Sequence, residues 1–247
     1  MQENDNKFTL KENNNNTQEI KSKYNILLVY ATEGEAYSEN ESLEDIANEI
    51  NSNYDNILLL PIRTGVGKLN ALLNTVVGFI MGATPTIIIN IGAVGSNKFK
   101  LGDVLYVNKF IQRDFDLTAL GEEKYSNKDD VFEITGPFIQ QEIKNPIIKK
   151  ALDDAIRSSN VIVREEGITC GTGDSLVINP DYNDYDVVDM EAYAIAKLCV
   201  ISNIPFICLK VVSDGSDDTT KDWESKLKKI NVNLFDSLKK LIIYLIK

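Results

Sequence analysis

The chain contains no histidine. A serine or cysteine nucleophile activated by an imidazole base is therefore excluded, and so are most zinc sites. Acid and base work must fall to Asp, Glu, Lys, Tyr or Cys. Cysteine is scarce: the 3 residues Cys170, Cys199 and Cys208 form an odd set in apolar company, which suits core packing in a reducing compartment better than a disulfide framework. Basic residues are outnumbered, 26 Lys and Arg against 37 Asp and Glu for a net charge of −11. That balance argues against a nucleic-acid partner, because phosphate-backbone binding rests on clustered Lys and Arg. A small neutral or cationic ligand fits better. Long apolar runs are also missing. Each is interrupted well short of the ~20 residues that span a bilayer, and no secretory apolar segment opens the sequence. The expectation is a soluble, cytoplasmic protein without a membrane partner.

What is present divides unevenly along the chain. Residues 1–22 (MQENDNKFTLKENNNNTQEIKS) are rich in Asn, Glu and Lys with only isolated apolar side chains, too little apolar surface to offset the entropy of ordering. They read as a disordered tail. Residues 23–247 read as one domain, which is an ordinary size for a single α/β unit with a large core.

Within that domain the apolar pattern alternates between short runs and amphipathic stretches. YNILLVYA (24–31), NILLLPI (56–62), PTIIINIG (85–92), GDVLYVNKF (102–110), VIVREEGITC (161–170), DYDVVDM (184–190) and PFICLKVVS (205–213) have strand length and composition. Helical spacing marks SENESLEDIANEINS (38–52), KLNALLNTVVGFIMG (68–82), the block 191–202 and the stretch 223–246. Strands alternating with helices imply an α/β fold, a single three-layer αβα domain around a central mixed, largely parallel sheet. Such sheets place ligands at the carboxyl ends of their strands. The loops to inspect are therefore ATEGEAYS, TGVGK, GAVGS, RDFDLTALG, GTGDSL, DME and SDGSDD.

Two glycine loops fail as nucleotide motifs. TGVGK lacks the spacing of a phosphate loop, and Leu69 follows its lysine where Ser or Thr is needed. GAVGS lacks the G-x-G-x-x-G spacing of a dinucleotide fold. Three carboxylates stand out instead. Glu35 lies just beyond the first strand, Glu191 opens an apolar helix, and Asp214 ends a buried strand. Each has a structural reading, as a solvated loop acid, a complement to a helix N-terminus and an Asx turn respectively. Each, taken singly, fits that structural reading first, and a shared cleft second.

Taken in order, A-T-E-G-E, T-G-V-G-K, N-I-G-A-V-G, D-F-D-L-T-A-L-G, T-G-D-S-L, V-V-D-M-E-A and V-V-S-D resemble the nucleoside phosphorylase superfamily. Within it the likeness is to the 5'-methylthioadenosine/S-adenosylhomocysteine nucleosidases. The resemblance implies a hydrolase that cleaves the N-ribosidic bond of a purine nucleoside, needs no cofactor or metal, and works as a homodimer. By the same likeness Asp214 protonates the departing purine, helped by its place after a buried strand, and Glu35 activates the attacking water. Glu191 binds the ribose hydroxyls and favours the cationic sugar. Met190 packs on the ribose, Ala93 and Gly95 line the sugar side, Leu176 and Val177 hold the purine, and Ser213 orients Asp214.

The sequence departs from that pattern at Thr32, where Met is usual, at Ala93 (Ser), at Leu176 (an aromatic) and at Lys210 (Arg). Two alternatives stay open. A purine nucleoside phosphorylase would use phosphate in place of water, with Arg63 and Arg113 near two of the loops. A non-catalytic nucleoside-binding module would keep the fold alone, although binding has no need of a water-activating Glu35.

Overall fold

A computed structural model describes residues 24–81, 84–125, 138–139, 146–178, 183–215 and 223–246. The expected tail, 1–22, lies outside the described residues. Among the described residues nine strands form one mixed sheet: β1 (Tyr24–Tyr30), β2 (Ile57–Arg63), β3 (Ile87–Gly95), β4 (Val104–Val107), β5 (Lys109–Gln112), β6 (Phe138–Ile139), β7 (Thr169–Thr172), β8 (Val187–Asp189) and β9 (Phe206–Asp214). The helices are α1 (Leu43–Asn53), α2 (Lys68–Met81), α3 (Pro146–Ser158), α4 (Ala192–Ser202) and α5 (Trp223–Ile246).

The strand order is β2-β1-β3-β8-β7-β5-β6, with β9 paired to β3 and β4. Parallel pairing joins β1 to β2 and β3, β3 to β9, β5 to β7 and β7 to β8. Antiparallel pairing joins β4 to β9, β5 to β6, and Gly95 of β3 to Val188 of β8. The central strands are apolar almost without interruption, as a sheet covered on both faces requires, and successive side chains face opposite layers. Ile26, Leu28, Ile87, Ile89, Ile91, Ile207 and Leu209 pack with α1, α3 and α5. Their alternates Leu27, Val29, Ile88, Phe206 and Cys208 pack with α2 and α4. The three-layer αβα expectation is met, and all three cysteines are buried and unpaired. Among the described residues no helix is long and apolar enough to cross a membrane.

Two expected strands are broken. The run 102–110 splits at Asn108, where the chain leaves its antiparallel partner β9 and joins β7 in parallel. The Asn108 side chain accepts the Ile168 N–H at 3.0 Å and seals the switch. The run 161–170 contains a turn in which Gly167, at φ +86°, returns its N–H to the Arg164 carbonyl at 3.1 Å. Left-handed backbone of that kind favours glycine. Only Ile162, by a single bridge to Leu105, and the later stretch from Thr169 pair with the sheet. Helix α3 has no counterpart among the expected helices. It starts with proline at its first position, where a missing N–H costs nothing, and buries Ala155 and Ile156 against the α5 side of the sheet.

Candidate active site

The carboxyl ends of the strands open into one cavity of about 490 Å³. Its wall takes Ala31 and Thr32 after β1, Val66 after β2, Ala93–Gly95 from β3, Arg113 after β5, Ser175–Ile178 after β7, Val188–Glu191 from β8, Ser213 and Asp214 from β9, and Trp223 from α5. All nine residues singled out in the sequence, Glu35, Ala93, Gly95, Leu176, Val177, Met190, Glu191, Ser213 and Asp214, line it. Leu176 is 71% exposed at the mouth, whereas Glu35, Glu191 and Ser213 are buried.

Glu35 sits in a 3-10 turn (Glu33–Ala36), its side chain folded back under the sheet end. Its Oε2 accepts the N–H groups of Ala31 at 2.7 Å and Thr32 at 2.9 Å. Its Oε1 accepts that of Ala93 at 2.9 Å. A solvated loop acid makes no such contacts. Three backbone donors from two strand ends fix this carboxylate against the cavity.

Glu191 occupies the N-cap position of α4 but makes no side-chain cap bond there. Its Oε1 reaches across to the N–H of Gly67 at 2.9 Å. The capping task falls to Asp189, whose Oδ2 accepts the Ala192 N–H at 2.9 Å. The TGVGK loop thus directs two of its backbone donors at carboxylates of its own chain, because the N–H of Lys68 goes to Asp174 at 2.8 Å. The Lys68 ammonium in turn holds Asp114 at 2.5 Å, and Asp114 accepts the Asp174 N–H at 2.9 Å. The loops after β2, β5 and β7 are tied together by these bonds.

At the base of the cavity Asp189, which is not among the expected site residues, forms a buried ion pair with Lys210, the lysine noted in the sequence where Arg is usual. Lys210 Nζ stands 3.0 Å from Asp189 Oδ2, with the two side chains 2% and 1% exposed. Asp189 Oδ1 also accepts the Thr172 hydroxyl at 2.6 Å, and that hydroxyl oxygen accepts the Tyr193 N–H at 3.0 Å. Burial opposes the charge on both partners, yet the ammonium holds Asp189 below the usual carboxylate range, and Asp189 leads the charges that hold Lys210 above the usual lysine range. Glu191, by contrast, is pushed up to about 8, first by burial and then by the charge of Asp189, with Lys210 opposing, Glu35 adding to the rise and the Gly67 N–H opposing. The signal visible in the sequence is a lysine inside the apolar strand FICLKVVS, since a fully buried charge requires a partner.

Asp214 is half-buried at the end of β9, and its Oδ2 accepts the Ser213 hydroxyl at 2.6 Å. The chain after β7 that carries Leu176 and Val177 is gripped by Arg113, whose Nη1 donates to Ser175 Oγ at 3.2 Å and whose Nη2 donates to the carbonyls of Gly173 and Ser175. Arg63 is held by Glu33 at 2.5 Å. Among the described residues no group of 3 or more His, Cys, Asp or Glu side chains is placed to hold a metal ion.

The phosphorylase superfamily profile matches residues 54–243. Among curated relatives, the 5'-methylthioadenosine/S-adenosylhomocysteine nucleosidase of Haemophilus influenzae is 28% identical over 166 residues, 63% of this chain and 68% of that protein. The enzyme of the same description from Shewanella piezotolerans is 28% identical over 199 residues, 75% and 79% of the two chains. Among solved structures, the futalosine hydrolase of Helicobacter pylori superposes with a TM-score of 0.70 at 17% identity, covering 90% of this chain and 98% of its own. A Neisseria meningitidis 5'-methylthioadenosine/S-adenosylhomocysteine nucleosidase in complex with methylthio-immucillin-A superposes at 0.67 and 20% identity, covering 89% and 98%.

Proposed function

The chain belongs to the phosphorylase superfamily, and on that premise we propose that it is an N-glycosyl hydrolase that cleaves the N-ribosidic bond of a 5'-substituted purine nucleoside. 5'-Methylthioadenosine and S-adenosylhomocysteine are its substrates by kinship with the nucleosidases of Haemophilus and Shewanella. The observation that carries this reading is the convergence of Glu35, Glu191 and Asp214, from three separate strand ends, on one cavity. Val66, Ile178, Val188, Met190 and Trp223 supply apolar wall for the sugar and its 5' group.

In this reading water attacks C1' and gives its proton to Glu35 as the C1'–N9 bond breaks. The electron pair of that bond passes to the purine, which takes a proton at N7 from Asp214 and leaves as the free base. Ser213 orients Asp214, Glu191 binds the ribose hydroxyls through the oxygen not engaged by Gly67, and Leu176 and Val177 hold the base. Water is favoured over phosphate as the nucleophile because neither arginine near the cavity is free to bind an anion: Arg63 is paired with Glu33 and Arg113 is engaged by Ser175 and the carbonyls of Gly173 and Ser175.

A second copy of this chain completes the site. Helix α2 exposes Leu69, Leu73, Val77, Ile80 and Met81, spaced along one side of the helix. That stripe continues from Val66 on the cavity wall, so an identical α2 face covering it would close the 5' end. The cytoplasm is the proposed location.

The test is incubation with a panel of purine nucleosides, with and without phosphate, followed by chromatography. Free base with free 5'-substituted ribose in both conditions is the expected result. Ribose 1-phosphate formed only when phosphate is present would replace hydrolysis by phosphorolysis, and intact nucleoside that nevertheless binds would leave a binding module.

A further inference from the structure

Helix α5 carries a buried polar residue that the proposed chemistry does not use. Asn231 lies in the interior of this 24-residue helix and is fully buried. Asparagine suits a helix interior poorly, because its side chain competes for backbone hydrogen bonds. Its Nδ2 donates to the Gly34 carbonyl at 3.1 Å and to the Tyr37 carbonyl at 2.8 Å. Its Oδ1 is buried and meets no donor among the described residues, a further disadvantage. Turning the amide over would not relieve it, since Oδ1 would then face the two carbonyl oxygens. The chain thus keeps an unfavourable residue whose hydrogen bonds both go to the ends of the turn that carries Glu35.

The same side of α5 supports that turn along its length. Trp223, Leu227 and Asn231 recur at every fourth position, so they share one face of the helix. Trp223 lines the cavity. A methyl group placed on Gly34 would stand 3.4 Å from Leu227 Cδ2 and 3.6 Å from Trp223 Cζ3, so the turn rests on both. The segment is fastened on either side, where the Gly65 N–H donates to the Ala31 carbonyl at 3.0 Å and the Ser38 N–H to the Glu41 carbonyl at 2.9 Å. Between these points Asn231 ties the backbone to α5, and the Glu35 carboxylate ties it to the strand ends. We infer that Asn231 is a positioning residue of the reaction: by holding the Gly34 and Tyr37 carbonyls, which flank Glu35 in the chain, it sets where the Glu35 carboxylate stands in the cavity. The backbone N–H groups of Ala31, Thr32 and Ala93 receive that carboxylate, and Asn231 delivers it to them from behind. The task matters because a misplacement of about 1 Å at a reacting group costs ~10²-fold in rate.

The inference rests on the nucleosidase reading for the task of Glu35, and one arm of its test needs no turnover. Asn231→Leu roughly keeps the volume of the side chain and removes both donors. Amide hydrogen exchange, followed by NMR, should accelerate several-fold at Ala31, Thr32 and Ala93, whose N–H groups bind Glu35. It should accelerate less at Leu28 and Ile89, which lie within β1 and β3. Adenine release should show kcat lowered about tenfold or more with KM nearly unchanged, because Glu35 acts on water and not on the bound nucleoside. Added to Glu35→Gln, the same substitution should cost nothing further, as for two residues that act through one group. If Asn231→Leu does not fold, Asn231→Ala, which is smaller and favours the helix, takes its place in all three measurements. Selective exchange, a loss confined to kcat and a double variant no slower than Glu35→Gln support the assignment. Exchange at the three amides that rises no more than at the two references, an unchanged kcat, or a double variant whose loss is the product of the single losses overturns it. A wild-type protein without turnover would refute the nucleosidase reading, and the exchange arm would still decide whether Asn231 fixes Glu35.

Discussion

Glu35 and Ala93, 58 positions apart in sequence, are joined by a 2.9 Å hydrogen bond from the Ala93 N–H to Glu35 Oε1. Through this bond the first loop closes on the end of the central strand, and the candidate water-activating carboxylate is held by the backbone of β3 at the cavity wall. The same oxygen explains the glycine beside it. Gly92 has φ +158°, at the edge of the backbone range that side chains rarely adopt, and lies against that oxygen, so conformation and space both favour glycine here.

Gly92→Ala is a probe of that space. Its methyl group would fall 2.6 Å from Glu35 Oε1 and 3.2 Å from Glu35 Cδ, well inside contact distance, and the carboxylate must shift. A displacement of about 1 Å at a catalytic group is enough to cost ~10²-fold in rate. The expected outcome is a fall in adenine release of that order from a protein whose circular dichroism is unchanged. Wild-type turnover from folded Gly92→Ala would show that the position of Glu35 does not matter to the chemistry.

Glu35→Gln tests the group itself. An amide keeps the shape but turns one acceptor oxygen into a donor, facing either the Ala93 N–H or those of Ala31 and Thr32. An opposed pair of buried donors costs about 1–3 kcal/mol of stability. Turnover should fall by ~10²-fold or more, while a nucleoside still binds because water activation is absent from the ground state. Measuring the thermal melt beside adenine release separates the two effects.

At the other strand end, Asp214→Asn should lower turnover by ~10²-fold or more, since an amide cannot deliver a proton to the purine. Ser213→Ala leaves the acid in place and removes only the 2.6 Å hydrogen bond that aims it, so its loss should be smaller. An adenine-like ligand should bind both variants. Equal rates for wild type and a folded Asp214→Asn would remove Asp214 from the mechanism.

Much of this arrangement is legible in the amino-acid sequence. β1, β3 and β9 are β-branched or leucine-rich runs of strand length, and the acids that follow β1 and end β9 are conspicuous beside them. The partner switch at Asn108 and the turn at Gly167 are hidden, because both depend on which strands lie alongside. The Asp189–Lys210 pair is hidden for the same reason. Its members sit on β8 and β9, which meet only around the end of β3, and no local pattern in sequence encodes that meeting. Trp223 reads as a core position of an amphipathic helix, and its place on the cavity wall follows from the packing of α5.

Helix α2 gives a prediction about assembly. An apolar stripe of Leu69, Leu73, Val77 and Ile80 left in water is unfavourable by roughly 25 cal/mol per Å², and a twofold partner would bury it on both copies. Light scattering should return twice the 27.6 kDa chain mass for the wild-type protein. Leu73→Asp should shift the sample toward the single-chain mass and raise KM for 5'-substituted nucleosides, through loss of the wall the partner supplies. A monomeric wild-type protein that turns over substrate would refute this arrangement.

Glu191 links the site to stability, and the sign follows from its position. Its carboxyl is raised from 4.5 to about 8 in the folded protein, so between those values the unfolded chain has released a proton that the folded chain still holds. The folded state binds more protons there, and stability must fall as pH rises through that window. The penalty is absent below the unfolded value and complete above the folded one. Its scale is a few kcal/mol, taking about 1.4 kcal/mol per unit and allowing for the coupling of Glu191 to Asp189 and Lys210. Glu191→Gln carries no proton to lose, so the variant should match the wild type near pH 4 and melt at a higher temperature than it at pH 9. Parallel melting curves for the two proteins across that range would show that Glu191 ionises as an ordinary carboxylate.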